Sequence, residues 1–479
     1  MRHTRKLTGT AIAALLLSGA TASAGAASAA QACGGSGSVS TVTGTLPDGA
    51  TYQIRCPAGS WNGTLFLYSH GYVVPGSANP AEDVGDPVTG AWLLGHGYAL
   101  AGSSYATTGW AIASALPDQI STLNAFDGSY GRPSHTIAWG HSLGGIITAG
   151  LIQDYPQRFS AALPMCGVLS GGVATWNTAL DAEFAFQQLI DPAVQVVNIS
   201  SPAATNLAGA EAAAASAQQT PQGRARLALV SALGDTPGWF TPLSQEPGAT
   251  DYAAQEANQF LWASEVTFPF VFDFRQNLEA DAGGNPSWNV GVNYFADLAK
   301  SADYQEVVAL YQAAGLSLSA DVHKLQSAPR ITPDPKAVFY LARNVAFNGH
   351  ISVPVLTMHT TGDGLVVPEN EQAYSAVVDR AGRGNLLRQV FVDRAGHCAF
   401  TPAETITAVQ ALLNRLATGS WDVPSPDAMN GQAAALGPDY NLFSVNGKVQ
   451  AAAPAFTPYQ PDQYLRPFDL PFFPPWDRG

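Results

Sequence analysis

The feature that most constrains the fold is the hexapeptide GHSLGG, which holds Ser142 between glycines. The apolar run 135–141 before this serine has the composition of a buried strand, and the run 143–156 after it has that of a helix ended by proline. A G-x-S-x-G sequence between a strand and a helix is typical of a serine that projects from a sharp turn. The pentapeptide alone is only moderately specific, and a glycine-rich turn before a buried helix is the alternative. Ser142 is therefore a candidate nucleophile that needs partners.

Two such partners follow later strand patterns in the order that this chemistry needs. A serine hydroxyl is a weak nucleophile and requires a base, which an acid must orient. His397 comes directly after the run RQVFV, in DRAGHC, and Asp363 comes after the run PVLTM, in HTTGDG. The order Ser142, Asp363, His397 is that of serine hydrolases in which each residue ends a strand of one parallel sheet. Ordinary loop residues remain the alternative for the last two.

Three nearby carboxylates have other expected roles. Asp393 lies four residues before His397 on the same strand run, so it cannot easily turn back onto that imidazole. Glu369 and Glu371 begin the next helix, where negative charge is favourable. None of the three is expected to orient the base.

Three further histidines are also less suited than His397. His359 lies inside a strand run, where a packed core histidine is expected. His141 precedes the serine and should point away from it on the turn. His70, in YSHGY, has an expected structural role in the loop after the first long strand run.

The same loop predicts the second half of an oxyanion hole. The first turn of the helix after Ser142 has free N–H groups, and the amide of Leu143 is the first donor. The second donor should come from the loop after an early strand. Gly71 allows a close approach of the backbone there, so the N–H of Tyr72 is the candidate; its side chain is alternatively a pocket wall.

Strand and helix patterns alternate in two blocks that flank a long helical segment. Runs of the first block predict strands at 63–71, 98–105, 135–142 and 159–167, with helices between them. The pattern resumes at 353–363 and continues to an amphipathic helix over 403–419. This alternation predicts an α/β fold with a mostly parallel sheet flanked by helices. A large, mainly helical segment is inserted after the fourth of these strands.

The inserted segment contains an unusually aromatic stretch, WASEVTFPFVFDF. Its phenylalanines alternate from Phe268 to Phe274, which favours a strand or an extended segment that lines a pocket. Packing in a core is an equally good interpretation. After residue 419 the chain is rich in proline and aromatic residues, and its aromatics favour docking on a surface.

The N-terminal residues have the pattern of a signal peptide. Arg2, Arg5 and Lys6 precede the apolar run 11–20, and small residues follow, with a cleavage candidate at 27–29. That run is too short to span a membrane, and a buried N-terminal helix is the alternative. We therefore expect an exported protein without a membrane segment. The formal net charge of −14 also disfavours a nucleic-acid partner, because phosphate binding needs a basic surface.

Export affects the interpretation of the four cysteines, because disulfides form in oxidising compartments. Cys33 and Cys56 flank a predicted hairpin turned at residues 47–49, so they are expected to pair. That pairing leaves Cys166 with Cys398. Buried free thiols are the alternative. The chain has no C-x-x-C sequence, which disfavours a structural zinc site.

Together these motifs resemble those of secreted serine hydrolases with the α/β-hydrolase fold. The resemblance covers roughly residues 44–170 and 346–418, and the segment between them lies where this family inserts a cap. It implies five units: a signal peptide (1–30), the first part of the core (31–168), a cap (169–345), the second part of the core (346–419) and an extension (420–479).

A second resemblance is to tannase and feruloyl-esterase-type enzymes. That family has a cysteine before the nucleophile and another after the histidine, joined as a disulfide. His397-Cys398 matches the second half, but His141 stands where the first cysteine is expected. We expect Cys166, at the end of the next strand, to supply the partner, because adjacent strands lie about 5 Å apart.

The sequence therefore predicts a secreted serine esterase whose substrate is a small-molecule or polymeric ester. The aromatic cap fits an aromatic, such as hydroxycinnamoyl, or other bulky ester, and a short-chain or polymeric ester fits equally. The esterase requires no metal or organic cofactor. One alternative is a secreted aminopeptidase of the same fold, although HGYVVPG departs from the H-G-G-P-G loop of those enzymes. Such an enzyme needs a cap carboxylate for the substrate amine, and the candidates are Asp235, Glu256, Glu265 and Asp273. The other alternative is an inactive binding protein on a hydrolase scaffold.

Overall fold

The computed structural model describes residues 32–200, 202–422, 425–445 and 448–468. The predicted signal peptide and its cleavage candidate lie outside the described residues, as does the end of the C-terminal extension from residue 469 onward. Within the described part of the chain, no helix combines the length and the apolar character needed to cross a membrane.

Eleven strands are present in the described residues. They are β1 (Ser40–Thr45), β2 (Thr51–Cys56), β3 (Thr64–Ser69), β4 (Ala99–Ser103), β5 (His135–His141), β6 (Ala161–Met165), β7 (Val355–Gly362), β8 (Leu387–Ala395), β9 (Leu442–Val445), β10 (Lys448–Ala451) and β11 (Phe456–Thr457). Nine of them form one sheet in the order β1-β2-β4-β3-β5-β6-β7-β8-β11. All neighbours from β4 to β8 in that order pair in parallel, whereas β1, β2 and β11 pair antiparallel at the edges.

Fifteen α-helices accompany these strands in the described part of the chain. They are α1 (Pro87–Gly95), α2 (Ile112–Tyr130), α3 (Leu143–Asp154), α4 (Gly172–Leu189), α5 (Ala203–Ala217), α6 (Pro221–Leu233), α7 (Tyr252–Trp262), α8 (Arg275–Ala282), α9 (Tyr294–Leu298), α10 (Tyr304–Ala313), α11 (Leu318–Ser327), α12 (Pro335–Asn344), α13 (Glu369–Arg380), α14 (Pro402–Thr418) and α15 (Pro426–Ala435). Helices α4 to α12 all lie between β6 and β7 in the chain. The predicted α/β fold class, with its helical insertion, is thereby confirmed.

The side chains of the central strands are buried on both faces of the sheet, as expected for parallel strands covered by helices. One face packs on α2, α3 and α13, and its core includes Leu67, Ile147 and Val377. The opposite face packs on α1, α14 and α15, with Trp139 and Leu412 in its core. This two-sided burial leaves the carboxyl ends of the strands as the open edge where loops can form a site.

The inserted helices have a hydrophobic core of their own. It is formed by side chains from α4, α6, α9, α10 and α11, among them Phe184, Leu229 and Tyr311. This segment, from Gly172 to Asn344, is called the cap below.

The predicted strand over Phe268–Phe274 is wrong, because these residues are helical. The chain from α7 to α8 is helical throughout, and the stretches Ala263–Thr267 and Phe270–Phe274 are π-helical. The ring centroids of Phe268 and Phe272 are 4.9 Å apart, and those of Phe270 and Phe274 are 5.5 Å apart. The apparent alternation is therefore two i,i+4 pairs on different faces of one helix.

The described part of the C-terminal extension packs on the rest of the protein. Strand β11 extends the sheet at β8, where Phe456 is opposite Val392. Further along, the Thr178 hydroxyl donates to the phenol oxygen of Tyr464 at 3.1 Å, which joins the extension to α4. At the other edge of the sheet, β1 and β2 form the predicted hairpin, and a disulfide joins Cys33 to Cys56.

Candidate active site

Ser142 lies at a strained turn between β5 and α3. Its backbone has φ 56° and ψ −122°, a region that non-glycine residues rarely adopt. A Cβ atom at Gly140 or Gly144 would collide with the carbonyl oxygen of Ser69, on the neighbouring strand β3. The two glycines therefore let the turn lie directly against β3. The N–H of Ser142 donates to the carbonyl of Met165 at 3.0 Å, which fixes the turn to β6 as well.

Asp363 and His397 form a hydrogen-bonded pair beyond the ends of β7 and β8. The Nδ1 of His397 lies 2.7 Å from Oδ2 of Asp363, whose side chain is fully buried. The other carboxylate oxygen accepts from the N–H groups of Leu365 and Val366, both at 3.0 Å. Burial alone favours the neutral acid, but the charge of His397 and hydrogen bonds from histidines lower the pKa of Asp363 to about 2. The carboxylate is thus ionised and held in one orientation.

A disulfide connects the histidine loop to the serine turn. Cys398 follows His397, Cys166 follows Met165, and the two cysteines are bonded with their Cα atoms 5.4 Å apart. The carbonyl of Met165 accepts from the backbone N–H of Ser142, so one hydrogen bond and one covalent bridge connect the serine turn with the loop that carries His397. Among the described residues no hydrogen bond joins the Ser142 hydroxyl to His397, whose Nε2 lies 3.4 Å from the Cys398 sulfur. Such contacts often tighten only when substrate binds.

The residues of the two predicted oxyanion donors, Leu143 and Tyr72, line the same cavity as Ser142. Leu143 is the first residue of α3, and within the described chain neither its N–H nor that of Tyr72 has a hydrogen-bond acceptor. Gly71 faces the serine, since a Cβ added there would lie 4.0 Å from the Ser142 hydroxyl oxygen. The ring of Tyr72 also packs on Phe270 of the cap, with centroids 5.0 Å apart.

His70 has the structural contacts expected of it. Its two ring nitrogens face the carbonyl oxygens of Gly71 and Ser104, at 2.8 and 3.1 Å, and its ring stacks on Tyr105. It thereby holds the loop that carries Tyr72 against the end of β4.

His141 and Asp393 have hydrogen-bond partners other than His397. The Nδ1 of His141 is 3.2 Å from the hydroxyl of Tyr68. Burial, followed by the nearby charge of His397, lowers the pKa of His141 to about 4, so this imidazole stays neutral. Asp393 accepts a hydrogen bond from Thr361 at 3.3 Å and has no contact with His397.

A second histidine, His359, also contacts the candidate acid Asp363. The sequence did not indicate this contact. The Nε2 of His359 donates to the carbonyl of Val366 at 2.7 Å and lies 3.6 Å from Oδ2 of Asp363, while Nδ1 is 3.1 Å from Glu371. Burial alone lowers its pKa, but the carboxylates of Asp363 and Glu371 outweigh burial and raise the pKa of His359 to about 10. Asp363 therefore lies between two imidazoles, that of His359, which is fully buried, and that of His397, which is partly exposed.

The serine opens into a cavity of about 170 Å³ between the sheet edge and the cap. Tyr72, Ser142 and Leu143 line one part of it. The rest is mostly apolar and aromatic, with walls from Trp110, Trp176, Phe186, Phe268, Phe270 and Phe272. The aromatic stretch of the cap is thus both core and pocket wall.

None of the four cap carboxylates proposed to hold a substrate amine lines this cavity. Asp235 lines a second cavity of about 310 Å³, on the other side of the segment 363–369. The carboxylate that does line the serine cavity is Glu183, on α4. The sequence contains a signal for it, because Glu183 is the charged residue on a helical face that also carries Trp176, Ala179, Ala182 and Phe186.

Comparisons with known proteins give one curated relative. The chain is 28% identical over 438 aligned residues to an o-phthalyl amidase from Xanthobacter agilis, and the match covers 84% of this chain and 94% of the relative. No family model matches the chain.

Solved structures are more distant. An esterase from Aspergillus oryzae has 13% identity and a TM-score of 0.40 over 80% of both chains. Feruloyl esterase B from the same organism has 14% identity and a TM-score of 0.36, over 80% of this chain and 82% of that one. Three features of the structure agree: the sheet order, the parallel strands β3 to β8, and the turn at Ser142 between β5 and α3. Together they show that the chain has the α/β-hydrolase fold.

Proposed function

We propose that the protein is a serine hydrolase that cleaves carboxylic esters through an acyl-enzyme on Ser142. The observation that carries this proposal is the strained turn at Ser142, which faces a cavity beside a buried Asp363–His397 pair. Strain of this kind is retained where surrounding structure enforces it, often for function. The fold alone would not support an activity, because one fold hosts many.

The reaction has two steps. His397 takes the proton of the Ser142 hydroxyl as the oxygen attacks the ester carbonyl, and Asp363 stabilises the resulting imidazolium. The amides of Leu143 and Tyr72 donate to the oxyanion, and the imidazolium returns its proton to the departing alcohol. Water then attacks the acyl-enzyme with His397 as base again, and the carboxylic acid leaves with Ser142 restored.

The substrate is an ester with a bulky or aromatic group. Aromatic side chains form most of the cavity wall, and such rings pack well on one another in edge-to-face contacts. Amide hydrolysis is the second candidate, because the curated relative is named an amidase. Turnover of an aryl ester should be compared with that of the matching arylamide, and faster amide cleavage would make the second candidate the function.

The nucleophile is tested by Ser142→Ala, with the exposed serine variant Ser129→Ala as a control. We expect the first to lose at least ~10⁴-fold in kcat on a p-nitrophenyl ester and the second to keep it. A fluorophosphonate should label the wild type and not Ser142→Ala, since only an activated serine reacts. Near wild-type turnover by Ser142→Ala would contradict the proposal, and an unlabelled wild type would favour a non-catalytic binding protein.

The protein is also proposed to be exported, with the domain boundaries given above. Two disulfides support an oxidising compartment. N-terminal sequencing of protein secreted by an expressing cell tests this, with a start near residue 30 as the expected result. Cytoplasmic accumulation of the uncleaved chain would contradict it.

A further inference from the structure

One face of α4 lines the serine cavity along most of its length. The lining positions are Thr175, Trp176, Thr178, Ala179, Ala182, Glu183 and Phe186. Their spacing is that of one helical face. At a rise of about 1.5 Å per residue, the positions from 175 to 186 span about 16 Å. The helix starts close to the end of β6, so this face leads from the sheet edge into the cap.

Glu183, near the far end of this face, has an unusual environment. Its side chain is only 3% exposed, and neither carboxylate oxygen has a hydrogen-bond partner among the described residues. The nearest cation is Arg275, whose Nη1 lies 3.7 Å from Oε2, beyond hydrogen-bond distance. Buried polar groups are normally paired, and each unpaired one requires an explanation such as a water or a ligand.

The indole N–H of Trp176 on the same cavity wall also has no hydrogen-bond partner among the described residues, but two other polar side chains of that wall differ from Glu183. The Asn370 amide donates to the carbonyl of Val367 and accepts the N–H of Ser170. The hydroxyl of Thr178 donates to Tyr464. The protein itself therefore satisfies these groups, whereas the Glu183 carboxyl retains its full capacity for a hydrogen bond.

Arg275 does not neutralise this site by itself. Its Nε donates to Glu279 at 3.0 Å, and its Nη2 donates to Asn285 at 3.0 Å. One guanidinium is thus shared by two carboxylates. Burial raises the pKa of Glu183 to about 8, although Arg275 lowers it, so near neutral pH the carboxyl takes both protonation states. It can accept a hydrogen bond in one state and donate one in the other.

A hydroxyl group matches this site best, because it is likewise both donor and acceptor. The neighbouring wall is formed by Phe186, Phe268 and Phe272, which favours an aromatic ring next to that hydroxyl. We propose that Glu183 binds a phenolic hydroxyl at the end of the substrate remote from the bond that Ser142 cleaves. This inference rests on the proposed function and specifies its substrate class as hydroxyaryl esters.

The test measures binding, so that it does not depend on turnover. Ser142→Ala protein is titrated by calorimetry with methyl esters of 4-hydroxyphenyl alkanoic acids and with the same esters lacking the hydroxyl, over linkers of one to four methylenes. At pH 9, where the carboxyl of Glu183 is mostly ionised, we expect the hydroxylated ester of the best linker length to bind about 10- to 100-fold more tightly, as a hydrogen bond to a charged group permits. With Glu183→Leu added, this ratio should fall to about one.

Two controls keep the result interpretable. Glu256→Gln changes a buried cap glutamate that does not line the cavity, and it should leave the ratio unchanged. If Glu183→Leu fails to fold, Glu183→Gln replaces it, and the ratio should fall at least about threefold because neutral hydrogen bonds are weaker.

The proposal is overturned if the ratio is near one at every linker length, or if the folded Glu183 variant keeps it. It is also overturned if the 4-amino analogue binds more tightly than the phenol, since the group recognised would then be an amine. The wild-type protein, which retains Ser142, is also assayed for hydrolysis of the esters that lack the hydroxyl. This measurement tests the proposed function separately. Cleavage without discrimination contradicts this inference alone, and discrimination without cleavage contradicts the proposed function alone.

Discussion

The sheet edge and the cap meet at one cavity, but they contribute to it differently. The edge supplies Ser142, Asp363 and His397 from the ends of three strands, fixed by hydrogen bonds and a disulfide. The cap supplies most of the aromatic wall and one buried carboxyl that has no hydrogen-bond partner among the described residues. This division predicts that changes at the edge lower turnover of every substrate alike. Changes in the cap should alter which substrate is preferred.

The largest effect of this kind is expected from Asp363→Asn. An amide cannot stabilise the imidazolium and favours the wrong tautomer of His397, so kcat/KM should fall about 10⁴-fold. The loss should be equal, within a factor of about two, for an acetate ester and an aryl ester. Asp393→Asn is the matched control, because that carboxylate bonds only to Thr361 in the described structure. Unequal losses for the two esters would contradict the division.

The two disulfides provide the next test, because one adjoins the site and the other closes a hairpin at the distant sheet edge. Replacing Cys166 and Cys398 by alanine frees the histidine loop, and a displacement of about 1 Å can cost about 10²-fold in kcat. Replacing Cys33 and Cys56 should lower the melting temperature but leave the kcat of the folded protein unchanged. Steady-state kinetics and thermal melts of both double variants provide the comparison. If both double variants lost the same fraction of kcat, the Cys166–Cys398 bridge would have no particular role in positioning His397.

Much of the edge could be predicted from sequence because its determinants are local. The glycines around Ser142 and the strand runs before Asp363 and His397 specify the turn and its partners directly. His359 was interpreted as a core histidine, and it is buried. Its contact with Asp363, however, depends on how the chain bends after β7, where a bulge lies between Thr360 and Gly362. A bulge of this kind has no clear sequence signal.

The cap was less predictable because its pattern has two interpretations. Phenylalanines at alternate positions indicate a strand, but a helix pairs Phe268 with Phe272 and Phe270 with Phe274 just as well. Only the packing of Phe268 and Phe272 on Phe186 of α4 decides between them, and that contact joins segments about 80 residues apart. The four cap carboxylates proposed from the sequence do not line the cavity, because their positions also depend on packing between segments that are distant in the chain.

The buried imidazole of His359, beside Asp363 and Glu371, predicts a pH-dependent contribution to stability. The pKa of His359 in the folded protein, about 10, lies above its unfolded value of about 6.5. Its stabilising contribution is therefore complete below pH 6.5 and is lost as the pH rises toward 10. The slope approaches about 1.4 kcal/mol per pH unit.

Denaturant unfolding between pH 6 and pH 10 measures this slope. His359→Gln should flatten it by up to that amount, whereas His323→Gln, at an exposed cap position, should leave it unchanged. A slope that His359→Gln does not alter would mean that the buried imidazole is neutral in the folded protein.

The smallest effect, and the one that isolates the cap, is expected from Phe270→Ala. This ring lines the cavity and packs edge-on against Tyr72, so it contacts the substrate space without belonging to the cap core. Loss of one aromatic contact costs about 0.5–1.5 kcal/mol, so kcat/KM for an aryl ester should fall about 3- to 10-fold. An acetate ester, too small to reach the ring, should be cleaved as by the wild type. The exposed phenylalanine variant Phe295→Ala should change neither rate. Equal losses for both esters would instead mean that Phe270 acts through Tyr72 on the oxyanion donor, and the cap would then contribute to the chemistry as well as to selectivity.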